Sequence, residues 1–450
     1  MTVSVTTLAG VMVVVPSASC LSEAPDMRIT VSDDFRKPVN IMPTPTFDIA
    51  GPVAGIDTHT DTHTVAIVTE TGKHLATDTF PTTSNGYRHV TEFLTAHRVT
   101  VVGVEGTNSY GAALTRHLID HGHVVFEVLR PTRALRRRDG KSDPVDALAA
   151  ARQVLTGQVL STPKDTTGPV ESLRMLQITR HQLVATAAKL VTLIKSLLVT
   201  APVTVRQRYA TMATPTLIMT LSRCRPPADV TDPINGTLIS LKSLATTYNM
   251  LRAQCDELDN KITDLVEVIN PGVTQVFGCR ALTAAELIVS VGENPQRIRS
   301  QAALAHLWGV APIPASSGRT NRHRLNRGGD RQANAALHRI VLVRMCHDER
   351  TRDYVQRRTK EGLSKKEIMR CLKRAIVREI YQVLCLGRPV KQSSGLSSDE
   401  FRALRSKKGL SQTQVARKLG CAPARISDIE TGKRRLSELK STYEEFLQTA

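Results

Sequence analysis

The sequence predicts a mixed α/β domain near the N-terminus followed by helical regions, and three observations carry that prediction. Short apolar strands between residues 53 and 129 come first as a group of three and then alternate with amphipathic helices. Two segments with sustained heptad spacing follow between residues 170 and 270. Beyond them lie a basic helical stretch and a short basic terminal segment. Hydrophobic residues make up 41% and charged residues 22% of the 450 residues, enough apolar material for real cores. That length suits about three domains of ordinary size.

Residues 1–50 are rich in Thr, Ser, Val and Pro, carry five acids against three bases and show no sustained period, which predicts a flexible leader. Residues 53–57 (VAGID), 63–69 (HTVAIVT) and 73–80 read as three short strands with turns between them. A helix follows near 87–97, then a strand at 100–105 (TVVGVE), a helix near 110–121 and a strand at 123–129. That order is the order of a ribonuclease H-like α/β domain, placed at 51–160. Pro144 directly follows Asp143, where proline suits the first turn of a helix running to about Leu155.

Leu176, Leu183, Ala187, Leu190, Ile194 and Leu197 fall on one heptad seam. Leu241, Leu244, Tyr248, Leu251, Cys255, Leu258, Ile262, Leu265 and Ile269 fall on another, so residues 168–270 are expected to form a coiled coil. The proline-bearing stretch 202–233 separates the two helices, which therefore form an antiparallel hairpin, a subunit interface, or both. An all-α region is expected over 271–386, a linker over 387–398 and an all-α terminal module over 396–450.

Lys and Arg number 60 against 41 Asp and Glu, a net charge of +19, and a charge of that size calls for a polyanionic partner. Nucleic acid is the first choice and anionic membrane the rival. The longest uninterrupted apolar run, residues 8–15, falls far below the roughly 20 residues that span a bilayer. No Lys or Arg precedes it, so it lacks a secretory n-region, and a cytoplasmic protein is expected. The eight cysteines include no C-x-x-C pair and read as reduced structural thiols. Aromatic residues at 4% argue against a series of base-stacking platforms.

Two constellations carry chemistry. Asp57 ends the first predicted strand and Glu105 the fourth, and neighbouring strands would face both carboxylates into one crevice. Asp143 and Asp146, in KSDPVDA, are three residues apart at a helix start and share a face. Each acid alone fits ordinary capping. As a set of four they offer the oxygen ligands that two Mg2+ ions need to clamp a phosphodiester. His59, Asp61 and His63 alternate nearby and form a second, weaker candidate, a transition-metal site.

The other constellation is the P-A-S-S-G loop at 314–318 and the basic run after it. Residues 316–380 hold 18 Lys and Arg against seven acids, a local +11. Serine beside glycine has an accessible hydroxyl, and Arg319, Arg322, Arg324, Arg327 and Arg331 can hold phosphates around it. Such a serine can attack a phosphodiester and form a covalent link. On spacing alone the reading to prefer is a DNA-binding loop whose serines only contact phosphate, since the sequence identifies no base for the hydroxyl.

The blocks GIDTHTDTHTVAIV, VVGVEGTNSYG and GKSDPVDALAAAR, the heptads, ALTAAEL, the SSG loop and GGDRQANAALHRIVLVRM resemble, over residues 53–385, the DEDD transposases of bacterial insertion sequences of the insertion-sequence-110 type. The resemblance implies a RuvC-like domain whose metal set is Asp57, Glu105, Asp143 and Asp146, with Mg2+ as cofactor. It points to Ser317 as nucleophile, with Ser316 as the alternative. It further implies donor and target DNA as substrates, with a guide RNA from the element choosing sequence by base pairing. A homo-oligomer, dimer or tetramer, is expected through the coiled coil. This chain has Gly278-Cys279-Arg280 where family members often carry Gly-x-Gly.

Residues 396–447 resemble the Cro/repressor class of helix-turn-helix modules. Ala416, Gly420, Ile426 and Ile429 occupy its small, turn and apolar positions. Gln412 opens the first helix toward phosphate, and Arg425 and Ser427 lie on the recognition helix. The function expected is an insertion-sequence transposase or recombinase. The alternatives are a RuvC-like structure-selective nuclease and a catalytically inactive helix-turn-helix regulator.

Overall fold

The computed structural model describes residues 51–129, 142–157, 160–317, 323–389, 398–431 and 437–449. The predicted leader, Arg319, Arg322 and most of the predicted linker lie outside them. The chain divides into two compact units, residues 1–388 and 389–450.

The first unit begins with a five-stranded sheet of strands β1 (Val53–Thr58), β2 (Thr62–Val68), β3 (His74–Pro81), β4 (Val101–Glu105) and β5 (Val124–Val128), in the order β3-β2-β1-β4-β5. β1–β2 and β2–β3 pair antiparallel, while β1–β4 and β4–β5 pair parallel. Hairpins need only short turns, whereas the parallel strands need the crossover helices α1 (Ser84–Ala96) and α2 (Ala112–Asp120). Those helices cover one face through Val90, Leu94, Leu114 and Leu118. The helix α3 (Asp143–Thr156) covers the other through Ala150, Ala151 and Val154. β1 is buried along its whole length because both faces are covered, and this explains its nearly unbroken apolar sequence.

Two long helices follow, α4 (Pro169–Thr200) and α7 (Pro233–Ile269). Arg180 pairs with Asp259, while Ile194 and Leu198 share a core with Leu241 and Ala245. These contacts make the pair antiparallel. The seam of α7 runs through the expected Leu241, Cys255 and Ile262, joined by Ala245 and Val266. In α4 the buried residues are Val170, Leu173, Gln177, Ala187, Ile194 and Leu198, so the seam keeps the expected Ala187 and Ile194 but otherwise runs beside the expected leucines. Leu176, Leu183, Leu190 and Leu197 are only half-buried beside it. Two parallel apolar diagonals run along this helix, and spacing alone does not tell which one meets the partner.

The proline-bearing connection holds two more helices, α5 (Val203–Tyr209) and α6 (Thr214–Arg223). Pro215 sits in the first turn of α6, where its missing N–H costs nothing, so proline here starts a helix. By length and composition α4 is also apolar enough to cross a membrane. Exposed Lys189 and Lys195 interrupt its apolar surface, and one face lies along α7.

The rest of the unit contains α8 (Ala281–Val291), α9 (Gln301–Leu307), α10 (Arg331–His347), α11 (Glu349–Lys360) and α12 (Lys365–Leu384) around buried Trp308, Leu337, Ile340, Ile376 and Ile380. This region is not wholly helical, because strands β6 (Ile313–Pro314) and β7 (His323–Arg324) pair antiparallel at the base of the serine loop.

The described residues of the second unit form the helices α13 (Ser398–Lys407), α14 (Gln412–Lys418), α15 (Pro423–Thr431) and α16 (Ser437–Thr449) around Phe401, Val415, Ile426 and Tyr443. Ala416, Ile426 and Ile429 are buried, and Gly420 turns the chain at φ +64°.

Candidate active site

Close approach of a helix to the sheet assembles the acidic group. A Cβ on Gly55 would lie 2.0 Å from Ala151 N and 2.3 Å from Ala147 O, so the backbone of α3 rests directly on β1. Gly103 gives the same clearance beside Val154. This packing sets the first turn of α3, with Asp143 and Asp146, against the C-terminal ends of β1 and β4, which carry Asp57 and Glu105. Thr58 Oγ1 donates to Glu105 O at 2.8 Å and ties those two strand ends together.

Asp57, Glu105 and Asp146 are buried, and Asp143 is half-exposed. Burial pushes the Asp57 carboxyl above its ordinary value, and the negative charges of Glu105, Asp146 and Asp143 push it the same way. His59 opposes them. Its Nε2 lies 3.3 Å from Asp57 Oδ2 and 3.4 Å from Asp143 Oδ1. One ligand atom from each of Asp57, His59 and Asp143 falls within 4.8 Å of the others. Asp57 Oδ2 is buried and receives no hydrogen bond. A buried carboxylate oxygen that accepts no hydrogen bond, among further carboxylates, fits a hard divalent cation.

Period-2 alternation is a signal for His59, since it shares a face with Asp57. The grouping with Asp61 and His63 fails because the chain reverses: His59 N donates to Thr62 O at 3.0 Å, and Thr58 faces His63 across the hairpin. His63 is fully buried and stacks on Tyr87 at 5.8 Å.

Ser316 and Ser317 are exposed after β6. Arg324, on β7, and Arg327 and Arg331 are exposed nearby. The two ends of this loop are pinned together. Asp330 N donates to Leu307 O at 2.7 Å, Asn326 Nδ2 to His306 O at 3.1 Å and Asn334 Nδ2 to Trp308 O at 2.7 Å. Asp330 caps α10 through Oδ1 and accepts Ser290 Oγ on Oδ2 at 2.6 Å, while Trp308 Nε1 donates to that same hydroxyl at 2.9 Å.

In the second unit Arg425 is exposed and Ser427 half-exposed on α15. Gln412 stands at the start of α14, as expected, but its Nε2 donates to buried Glu430 Oε2 at 2.8 Å. Glu430 also accepts Arg405 through both oxygens and the Tyr443 hydroxyl. Nothing in the sequence pattern marks Glu430 as a hub.

The fold and the acidic group define a class: a ribonuclease H-like α/β domain with carboxylates at its strand ends, extended by helices. A family model of IS110 DEDD transposases matches residues 54–201, and one for the IS116/IS110/IS902 transposase family matches residues 272–356. A helix-turn-helix domain model matches residues 398–445. No curated protein matches the chain. The chain belongs to the IS110 family of insertion-sequence transposases, enzymes that recombine DNA, and it carries a DNA-binding helix-turn-helix domain.

Proposed function

We propose that this transposase cleaves and rejoins DNA with two cooperating centres, a metal-holding DEDD group and a serine nucleophile, under the guidance of an element-encoded RNA. The burial of Asp57, Glu105 and Asp146 together beside Asp143 carries this reading. In it, residues 51–160 are the RuvC-like domain, 168–270 the coiled-coil region, 271–386 the serine-bearing domain and 396–450 the DNA-binding module.

Asp57, Glu105, Asp143 and Asp146 hold Mg2+, which supplies electrostatic stabilisation at the scissile phosphate when bound. The carboxylates fix its position, and the packing of α3 on Gly55 keeps them from spreading. Ser317 Oγ attacks phosphorus, its bond to phosphorus forms, and the bond from phosphorus to one deoxyribose oxygen breaks. The serine proton leaves to solvent and the departing oxygen takes one up. The phosphoserine link conserves the ester for rejoining by a second deoxyribose hydroxyl. Arg324, Arg327 and Arg331, with Arg319 and Arg322, hold the flanking phosphates. Arg425, Ser427 and the N-terminus of α14 at Gln412 contact DNA. The half-buried stripe Leu176, Leu183, Leu190 supports assembly of subunits through a coiled coil.

The test is strand transfer with donor DNA, target DNA and RNA from the element. Asp57→Ala and Ser317→Ala are each expected to reduce transfer by at least about 100-fold, given the size of typical nucleophile and charge-stabilisation effects. A protein–DNA adduct that survives denaturation is expected from wild type and not from Ser317→Ala. Full activity in both variants would sink the assignment, and cleavage without any adduct would favour a RuvC-like nuclease that uses water.

A further inference from the structure

The joint between the sheet and the serine-bearing region holds a polar cavity that neither centre uses. At the edge of the sheet Glu127 N donates to Ser161 O at 2.8 Å and Ser161 N to Glu127 O at 3.4 Å. The chain after Ser161 is then stitched to the segment around the end of α8. Asn294 Nδ2 donates to Pro163 O at 2.9 Å, Asp165 N to Asn294 Oδ1 at 3.0 Å and Lys164 Nζ to Val289 O at 2.9 Å. Between these runs opens a cavity of about 420 Å³, with Ser161, Thr162, Asn294, Gln296, Arg297 and Arg299 in its wall and no acid among the described residues that line it.

The cations here outnumber their partners. Arg297 is anchored through Nε and Nη2 to the backbone carbonyls of Val291 and Ser290, bonds that do not use Nη1. Among opposing charges Glu127 acts on it most strongly. Arg299 is exposed and makes no ion pair among the described residues. Arg374 donates to Gln301 O at 2.9 Å, two residues before the cavity wall at Ala303, and Arg378 lies one turn further along α12. Burial holds Arg297, Arg374 and Arg378 below the ordinary arginine range. Of these, Arg297 lines the solvent-open polar cavity itself, and a half-buried guanidinium group placed there is stabilised by an anion. Arginine's fork suits a phosphate in particular.

We propose that this cavity is a phosphodiester subsite in which Arg297 and Arg299 grip one backbone phosphate of a nucleic-acid strand crossing from the sheet to the serine-bearing region. Ser161, Thr162 and Gln296 supply neutral donors. The subsite requires nucleic-acid binding only, so it stands or falls separately from the metal and the serine nucleophile.

The experiment measures equilibrium binding of the full chain to duplex DNA and, separately, to single-stranded RNA across a salt series. Wild type is compared with Arg299→Ala, Arg299→Lys and Arg299→Glu, all at a surface position where folding is expected to be unchanged by melting curves. Loss of one phosphate contact lowers the magnitude of the slope of log K against log salt by about 0.9 for duplex and about 0.7 for single strands. Arg299→Ala is expected to show that decrement with roughly tenfold weaker binding, equivalent to one lost charged contact, and Arg299→Lys to keep the wild-type slope. The nucleic acid whose slope changes identifies the source of the phosphate. Wild-type affinity and slope for Arg299→Glu with both nucleic acids would overturn the proposal.

Discussion

His63 shows how one strand position turns sequence into a pH dependence. It is fully buried on β2, and burial, with His59 adding to it, pushes its imidazole from 6.5 down to about 4. A depressed histidine favours the folded state only while neutral. Between pH 6.5 and 4 the unfolded chain binds the proton that the folded chain refuses, so stability falls as pH falls. By pH 4 the loss reaches about 3 kcal/mol, because each tenfold weakening of proton binding is worth about 1.4 kcal/mol. Asp57 acts in the opposite sense, since a raised carboxyl loses its contribution as pH rises through its folded value. His63→Phe keeps the stack on Tyr87 and is expected to flatten the denaturation midpoint between pH 6.5 and 4 relative to wild type. An unchanged pH slope in that variant would mean other groups set it. At this scale the sequence is partly legible. The strand-end positions of Asp57 and Glu105 follow from apolar runs, whereas the pairing of His59 with Asp143 depends on the docking of α3 against the sheet, which no local pattern encodes.

Elements are legible where a pattern has one solution. The strands of the sheet lie within a residue or two of their expected ends because each is a short apolar run bounded by turn residues. The heptad of α7 is equally plain, but α4 carries two apolar diagonals that share Ala187 and Ile194, so its existence is readable and its buried face only in part. The serine loop marks a different limit. Its β6–β7 pairing and the pinning of its ends rest on contacts between residues well apart in the chain. Glycine is required at that closure, because a Cβ on Gly329 would meet Gly309 N at 2.3 Å and Leu307 O at 2.9 Å, both backbone atoms that cannot swing away. Gly329→Ala is therefore expected to cost about 1–3 kcal/mol by overpacking. Asp330→Ala removes the cap of α10 and strands Ser290, at a similar cost of about 1–3 kcal/mol. Urea denaturation of the two variants reads both effects, and wild-type midpoints would show that the loop closes without this pinning.

Across the whole molecule the net charge of +19 resolves into +11 over residues 316–380 and +6 over residues 386–450, while residues 1–50 contribute −2. The charge thus follows function, with one concentration in each compact unit. The second unit has its own core and its own polar centre, Glu430. Burial alone would raise this carboxyl, but the hydrogen bonds from Arg405, Gln412 and Tyr443 outweigh it and hold it below its ordinary value. Removing one member of such a group leaves a buried cation unpaired, which costs about 3–5 kcal/mol. For a unit of about 60 residues, that is most of the stability expected of its size. Two compact units with separate cores predict two unfolding transitions in calorimetry of the full chain. Glu430→Ala is expected to abolish or sharply lower the one belonging to residues 389–450 and to leave the other in place. DNA binding by the helix-turn-helix domain is expected to be lost with it. A single transition that moves as a whole in Glu430→Ala would show instead that the two units unfold as one, and that the terminal module is stabilised by the rest of the chain.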